Sequence, residues 1–548
     1  MLKRYIGRLS EEFRDYNAKR FSKDLMAGIT VAAVALPLAL AFGVSSGADA
    51  AAGLITAVMA GFIISVFSGA SFQISGPTGA MAAILVSITA RYTLQGVFIV
   101  SILAGIILLL AGIFRFGKFV NIIPRPVITG FTSGIAIIIA MGQIDNFFGT
   151  SSSGENVIKR LISYGELGFR PDMGSIIIGA VVVIIMVIWP KKLNSRIPSS
   201  LVGLVAATAA AIMFNFDVGT IGEIPRTLIP GIRFSFRALD FSSLPSFISP
   251  AFSVAALGMI ESLLCGTSAM RMKPGESFDA DQELVAQGIG NIIVPFFGGI
   301  PATAAIARTS VAIKSGSETR LTGIIHALVL LASMFILGNI MSLVPYPALA
   351  GVLMVTAWRM NEWHSIKNIF RKYNKSAALK FLVTMAATVV FDLTIAIIIG
   401  IAFSVLVFVM NSSKLRVTSS RVRNELLHHT DNDIESCHED TTVIYITGPL
   451  FFGNAERLAR QMKDEMNGSG KIIFSMRGVP VIDTTGIEVM MDIVRECSAR
   501  NIVVNLCGLN EDVQKRLDLA GITDIIGENA HFFSVDRALL ATGSPCGD

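Results

Sequence analysis

Charge is scarce in this chain. Asp, Glu, Lys and Arg make up 16% of its 548 residues against 52% hydrophobic residues. The mean hydropathy of +0.64 lies far from a soluble protein, where about a quarter of residues are charged. Ordinary soluble domains are excluded for most of the length, which must face lipid. Cysteine is scarce as well. Cys265, Cys437, Cys497, Cys507 and Cys546 show no paired or metal-type spacing, which argues against a disulfide framework and a thiolate metal centre and fits a reducing compartment. Long basic runs are missing too: the net charge of +5 sits in short clusters between apolar stretches, so no nucleic-acid partner is expected. A phosphate loop, a metal-ligating cluster and a nucleophile–base pair are likewise not found, so the sequence points to no enzyme, metal or cofactor.

Apolar runs of a length that spans a bilayer, roughly 17–25 residues, recur from about residue 25 to about residue 411. Breaks at Gly, Pro and charge predict about fourteen segments, starting near 25, 52, 78, 94, 123, 174, 199, 247, 281, 302, 321, 345, 376 and 394. Residues 1–24 mix both charges ahead of the first run and are expected to be a cytoplasmic lead-in, not a cleaved signal peptide. With that end inside, five loops fall on the cytoplasmic side: Arg115 and Lys118; Lys191, Lys192 and Arg196; Arg271 and Lys273; Lys314 and Arg320; Arg371, Lys372 and Lys375. This is the positive-inside pattern. The loop at 150–172 mixes Glu155, Lys159, Arg160, Glu166 and Asp172, as an outer loop can. Both ends of the membrane domain are then cytoplasmic.

The membrane region repeats. GKFVNIIPRPVITG from Gly117 and GNIMSLVPYPALAG from Gly338 share G-x6-P-x-P-x3-G at positions 221 residues apart. Ser75-Gly76-Pro77-Thr78-Gly79-Ala80 matches Gly299-Ile300-Pro301-Ala302-Thr303-Ala304, with Pro77 and Pro301 224 residues apart. Two landmarks with nearly one offset imply homologous halves, about 25–216 and about 247–411, of seven segments each. An odd number of crossings inverts the second half, as in many secondary transporters.

The second pair of landmarks also marks chemistry. Each proline precedes a small-residue helix of about four turns, too short to cross alone, and proline suits the first helical turn. Helix starts are therefore predicted near Pro77 and Pro301, with extended residues before them lining a cavity or buried in protein. A helix start carries unpaired N–H groups and about half a positive charge, so two facing starts would hold an anion without a metal. Thr78, Gly79 and Ala80 on one side, and Thr303, Ala304 and Ala305 on the other, are small enough to let it reach the backbone. Arg308, in the second short helix, either adds full charge near that seat or is a snorkelling or structurally paired arginine. Glu261 lies in the middle of the apolar span AALGMIESLLCGTSAMRM. A charged carboxylate there is costly, which leaves three roles: taking up and releasing a proton, binding sodium, or pairing with Arg308. Pro37 breaks the first span and brings Phe42 toward the cavity, where it either packs or lines the pocket.

These residues resemble the SulP family of anion transporters, to which animal solute-carrier anion exchangers and prestin also belong. The likeness covers nearly the whole chain. It rests on D-L-x-A-G-I-T-V at Asp24, Ser75-Gly76-Pro77, Glu261-Ser262-Leu263-Leu264, QGIGNIIVPFFGGIPATAAIARTSV and a carboxy-terminal module. The resemblance implies an α-helical polytopic membrane protein of about fourteen segments in two inverted repeats, split into a core domain that holds the anion and a gate domain that contributes the dimer or scaffold surface, with elevator-like alternating access. It implies that Phe42 lines the anion pocket, that Thr78 to Ala80 and Thr303 to Arg308 form the two helix starts, and that Glu261 sits where the acidic residue tracks the coupling ion. Sodium-coupled bicarbonate carriers of the family place Asp there with Thr one turn later; Glu261 with Cys265 favours a proton. The bacterial branch it resembles holds both sulfate permeases and the aerobic four-carbon dicarboxylate carrier.

From Thr441 the pattern alternates strand and helix, which predicts a small α/β domain over 441–548 after a linker at 412–440. The resemblance identifies it as a STAS domain. Asp483 caps a helix, and Thr484 or Thr485 occupies the region where antagonist relatives are phosphorylated; capping alone explains these threonines equally well. The expected protein is thus an inner-membrane homodimer that carries a small inorganic or organic anion with a proton. Its tail would face a cytoplasmic regulatory partner. Bicarbonate/chloride exchange and an uncoupled anion channel are the alternatives.

Overall fold

The computed structural model describes residues 2–118, 124–154, 157–190, 193, 197–235, 244–371, 375–391, 393–412, 415–422, 436–437, 440–466, 468–542 and 544–545. Lys191, Lys192, Arg196, Lys372, Glu155 and Cys546 lie outside the described residues, as does part of the first G-x6-P-x-P-x3-G landmark. Packing divides the chain into two units, Met1–Ala402 and Phe403–Asp548.

The first unit is helical. Its helices are α1 (Leu2–Glu12), α2 (Ala18–Ser45), α3 (Ala50–Phe67), α4 (Gly79–Ile113), α5 (Arg125–Gly142), α6 (Ile144–Phe148), α7 (Val157–Leu167), α8 (Met173–Ile188), α9 (Ser199–Met213), α10 (Leu244–Met272), α11 (Ala280–Ile293), α12 (Ile306–Lys314), α13 (Leu321–Met341), α14 (Tyr346–Met360), α15 (Trp363–Arg371), α16 (Lys375–Val390) and α17 (Leu393–Ser412), the last ending beyond the division. By length and composition, six of the described helices suffice to cross a membrane: α2, α3, α4, the α5–α6 stretch, α10 and α13. Others are shorter than a span.

Local chemistry sets the helix starts. Asn17, Asp49 and Asp172 accept N–H bonds at the starts of α2, α3 and α8. Pro124 and Pro345, the first prolines of the two P-x-P landmarks, are the cap residues of α5 and α14, each followed by a second proline in the first turn. α4 contains a break. Thr93 has φ 60° and ψ −179°, so residues 79–92 form a first arm that rises about 20 Å, short of the ~30 Å hydrocarbon core.

The packing has two groups. α4 lies against α10 and α11, and α13 lies against α2 and α3; α5 packs on α16, and α8 on α9 and α14. Glycine allows close approach in the first group: a Cβ on Gly288 of α11 would come within 2.7 Å of the Gly105 carbonyl oxygen in α4. Strand β1 (Ser75–Gly76) pairs antiparallel with β2 (Thr303–Ala304), Ser75 opposite Ala304 and Gly76 opposite Thr303. Two chain segments thus enter the interior from opposite directions and meet by backbone pairing, which satisfies polar groups that lipid could not.

The second unit holds strands β3 (Arg416–Arg421), β4 (Ser436–Cys437), β5 (Thr441–Thr447), β6 (Lys471–Gly478), β7 (Val503–Cys507), β8 (His531–Phe532) and β9 (Ser544–Pro545). Its main sheet runs β3-β5-β6-β7-β8; β3 is antiparallel to β5 and the other pairs are parallel. Helices α18 (Ala455–Glu465), α19 (Thr484–Ala499), α20 (Glu511–Leu519), α21 (Ile522–Ile526) and α22 (Val535–Thr542) complete it. Ile444, Phe474, Leu506, Met490 and Val494 are among its buried core.

Candidate functional site

α4 begins at Gly79, with Thr78 in extended conformation as its cap: the Thr78 hydroxyl accepts the Met81 N–H at 3.3 Å. The N–H groups of Gly79 and Ala80 are left without a backbone acceptor among the described residues. The same Thr78 hydroxyl donates to Oε2 of Glu261 at 2.8 Å, and Thr303 donates to that oxygen at 2.6 Å. Thr78 and Thr303 are themselves 3.2 Å apart. One carboxylate oxygen on α10 therefore ties the first short helix to β2. Glu261 is only partly buried, and no hydrogen bond reaches its Oε1 among the described residues.

The second short helix departs from the sequence expectation. Instead of starting near Pro301 it starts at Ile306, with Ala305 as a cap that offers no side-chain bond. Thr303 and Ala304 lie in β2, not in a helix. The structural counterparts are the caps Thr78 and Ala305, 227 residues apart, so the proline-based alignment of the two motifs slips by three residues. The reason is tertiary pairing. In the second motif the residues after Pro301 make ladder bonds to β1 before the helix can begin, and Asn291 holds both ends of Ala302, accepting its N–H at 2.8 Å and donating to its carbonyl at 2.9 Å.

Arg308 is 1% exposed and, among the described residues, forms no ion pair with Glu261. Its Nη2 donates to the Pro77 carbonyl at 2.6 Å, while Nη1 has no partner among the described residues and lies where a Cβ on Gly76 would be 2.6 Å away. The guanidinium thus sits behind β1 and braces the residue that precedes the Thr78 cap. Phe42 is buried against the first helix start, its ring edge 3.1 Å from the position of a Cβ on Gly79.

Sequence reading did not single out the residues that fix this junction to α10. Ser262 accepts the Ala304 N–H at 3.2 Å, and its carbonyl accepts from Gln73 at 3.0 Å. Thr309 accepts the Ile74 N–H at 3.0 Å and the Cys265 thiol at 3.3 Å. Their signal was present as small polar residues one position or one turn from Glu261 and Arg308, but such residues are common in apolar helices. In the second unit, Asp483 caps α19, accepting the Gly486 N–H at 2.8 Å, and also accepts the Phe452 N–H at 3.0 Å; Thr484 and Thr485 open that helix.

The model of the sulfate permease family matches residues 21–387, and that of the STAS domain matches residues 421–538. YvdB of Bacillus subtilis, named provisionally as a sulfate transporter, is 35% identical over 539 residues, 96% of this chain and 98% of its own. The bicarbonate transporter BicA of Picosynechococcus sp. is 30% identical over 519 residues, 90% of each chain. Murine Slc26a9, an anion transporter solved in the inward-facing state, superposes with a TM-score of 0.82 over 96% of this chain and 92% of its own; at 17% identity that likeness shows the fold.

Proposed function

The chain belongs to the sulfate permease family and carries a STAS domain, and we propose that it is a secondary active transporter that moves a small anion together with a proton. The observation that carries this reading is the convergence of Thr78 and Thr303 on one oxygen of Glu261, beside the open N–H groups of Gly79 and Ala80. The anion seats at the start of α4, facing Thr303 to Ala305, with Phe42 closing one side and Arg308 bracing the backbone behind it.

Coupling follows from electrostatics. An ionised Glu261 repels an anion at the helix start and holds the two hydroxyl protons for itself. Protonation removes the repulsion and frees Thr78 and Thr303 to donate to the anion, so proton and anion bind together. Among the described residues Arg308 makes no ion pair with Glu261, which supports the proton role over a static pair.

The substrate is sulfate or a related inorganic anion, or a four-carbon dicarboxylate. Similarity to BicA favours a second reading, bicarbonate transport, with exchange for chloride or uncoupled conduction as its variants. Movement is of the elevator type: the group containing α2 to α4 and α10 to α13 carries the seat past the group containing α5, α8, α9, α14 and α16. A membrane domain over about 25–411, cytoplasmic termini in the inner membrane, a homodimer, and a regulatory partner or phosphorylation at Thr484 or Thr485 complete the proposal; β3, within the 412–440 stretch expected as a linker, belongs to the sheet of the second unit.

The test is uptake of labelled sulfate, succinate and bicarbonate by the full chain in proteoliposomes, with and without an imposed proton gradient. Gradient-stimulated uptake of one of them is expected, and it should be lost in Glu261→Gln. Gradient-driven uptake that survives in that variant refutes the coupling.

A further inference from the structure

A cavity of about 290 Å³ opens in the first unit among the carboxy-terminal ends of α2, α5 and α16, the first arm of α4 and the start of α7; Ser45, Ile84, Ser87, Ile139, Gln143 and Arg160 are among its lining. It lies along the same arm of α4 that starts at Thr78, one to two turns beyond the helix start. One residue belongs to both places. Ile139 lines the cavity, yet its Cδ1 is packed so close to Gly79 that a Cβ there would be 2.5 Å from it. The Phe42 ring flanks the same glycine at 3.1 Å. Ile139 and Phe42 are 4% and 5% exposed, so apolar side chains occupy the space between the cavity and the first helix start.

We infer that this cavity is the vestibule through which the anion enters from the face opposite the amino terminus, and that Ile139 is the residue that seals it from the seat. The inference rests on the seat proposed above. Three features carry it. The cavity is large enough for a hydrated inorganic anion, and Ser45, Ser87, Gln143, Asp145 and Arg160 give it a polar wall that carries one residue of each charge, whereas Ile139 and Phe42 between it and the helix start are apolar and buried. An ion cannot pass such a barrier without losing its hydration, so a thin apolar layer closes the path to charge. Finally, Gly79 and Phe42 belong to the group of helices that holds the seat, while Ile139 belongs to α5, which packs on α16. Relative movement of the two groups therefore takes Ile139 off Gly79 and opens the path without any rearrangement inside the seat.

The test uses the full chain with its native cysteines replaced, in intact cells, with a membrane-impermeant thiol reagent added outside. Ser87→Cys reports the cavity and Thr78→Cys reports the seat. Ser87→Cys should be labelled readily. Thr78→Cys should be labelled slowly with Ile139 present and at least tenfold faster when Ile139→Ala is added, while Ile139→Leu, which keeps the bulk, should leave the rate within about twofold of the Ile139 background. Ile139→Val supplies an intermediate rate should the alanine variant fail to fold, as judged by its elution profile. The inference is overturned if Ser87→Cys is unreactive from outside, or if the Thr78→Cys rate does not depend on the size of the side chain at 139. These readouts need no substrate, so they stand apart from failure of the transport reading, which would appear as no anion uptake in proteoliposomes by the unsubstituted chain. Where that uptake is present, Ile139→Ala should also raise passive efflux of the preloaded anion about tenfold.

Discussion

The guanidinium of Arg308 donates to the carbonyl of Pro77 at 2.6 Å, across 231 positions of sequence. The one arginine in the second short helix is therefore a brace for the first. Its hydrogen bond goes to the strand-to-helix junction at Pro77 and not to Glu261.

Arg308→Gln should destabilise the protein by roughly 1–3 kcal/mol, the cost of leaving a buried carbonyl unsatisfied, and should slow transport while changing the half-saturating anion concentration little. Arg308→Lys should not restore the rate, because a compact ammonium does not fill the planar space that the guanidinium takes against Gly76 while it bonds Pro77. Thermal melting and uptake kinetics on the same preparations read both effects. A large rise in the half-saturating concentration with an unchanged maximal rate would place Arg308 on the anion instead.

Thr78→Val and Thr303→Val keep shape and remove the hydroxyls that converge on Glu261. Each lost bond to a charged group is worth about 1.5–3 kcal/mol, so uptake under a proton gradient should fall at least tenfold in either variant. Thr78→Ser and Thr303→Ser should retain most of it. Equal losses in the serine and valine variants would show that the methyl group, not the hydroxyl, is what matters.

A second buried junction clasps the amino terminus. Arg320 and Glu12 form an ion pair at 2.7 Å with each side chain 6% exposed, and Arg320 also donates to the Val66 carbonyl at 3.0 Å. Removing one partner of such a pair leaves a buried charge, so Glu12→Ala should cost about 3–5 kcal/mol in melting experiments in nanodiscs. The double variant Glu12→Gln with Arg320→Met should recover part of that loss.

The neighbouring tie between Lys23 and Glu318, 2.6 Å long, sets a pH dependence. The hydrogen bond from Lys23 holds the Glu318 carboxyl below its ordinary range. A lowered folded value means that the tie stabilises above the unfolded value, near 4.3, and is lost as pH falls through the folded one. The stability difference between the parent chain and Glu318→Gln should thus be present at pH 7, shrink as pH falls below the unfolded carboxylate value of about 4.3, and vanish once Glu318 is protonated in the folded chain. A difference that persists there would remove the carboxylate from the account.

In the second unit, burial pushes the Cys497 and Cys507 thiols up to about 11. The thiolate is the reactive form, so neither should be alkylated by iodoacetamide at pH 7.5 in the folded protein, and both should be after denaturation. Mass spectrometry of the digest decides it.

Much of this protein was written locally in its sequence. Apolar runs announced the membrane helices, because span length and hydrophobicity belong to contiguous residues. The P-x-P landmarks announced the starts of α5 and α14, because a proline cap depends only on its own ring and the next turn. The pattern of the tail announced strands β5, β6 and β7 for the same reason. Glu261 stood out because a carboxylate in an apolar run is conspicuous wherever it points. What folding added depends on partners far apart. Thr303 and Ala304 became a strand instead of a helix start because Ser75 and Gly76 arrived opposite them with unpaired backbone groups. Arg308 turned toward Pro77, and Ile139 came to rest on Gly79, because helices from different parts of the chain packed together. A residue's type and neighbours fix its cost in the membrane; only the assembled helices decide which distant atom meets that cost, and so which way each functional side chain faces.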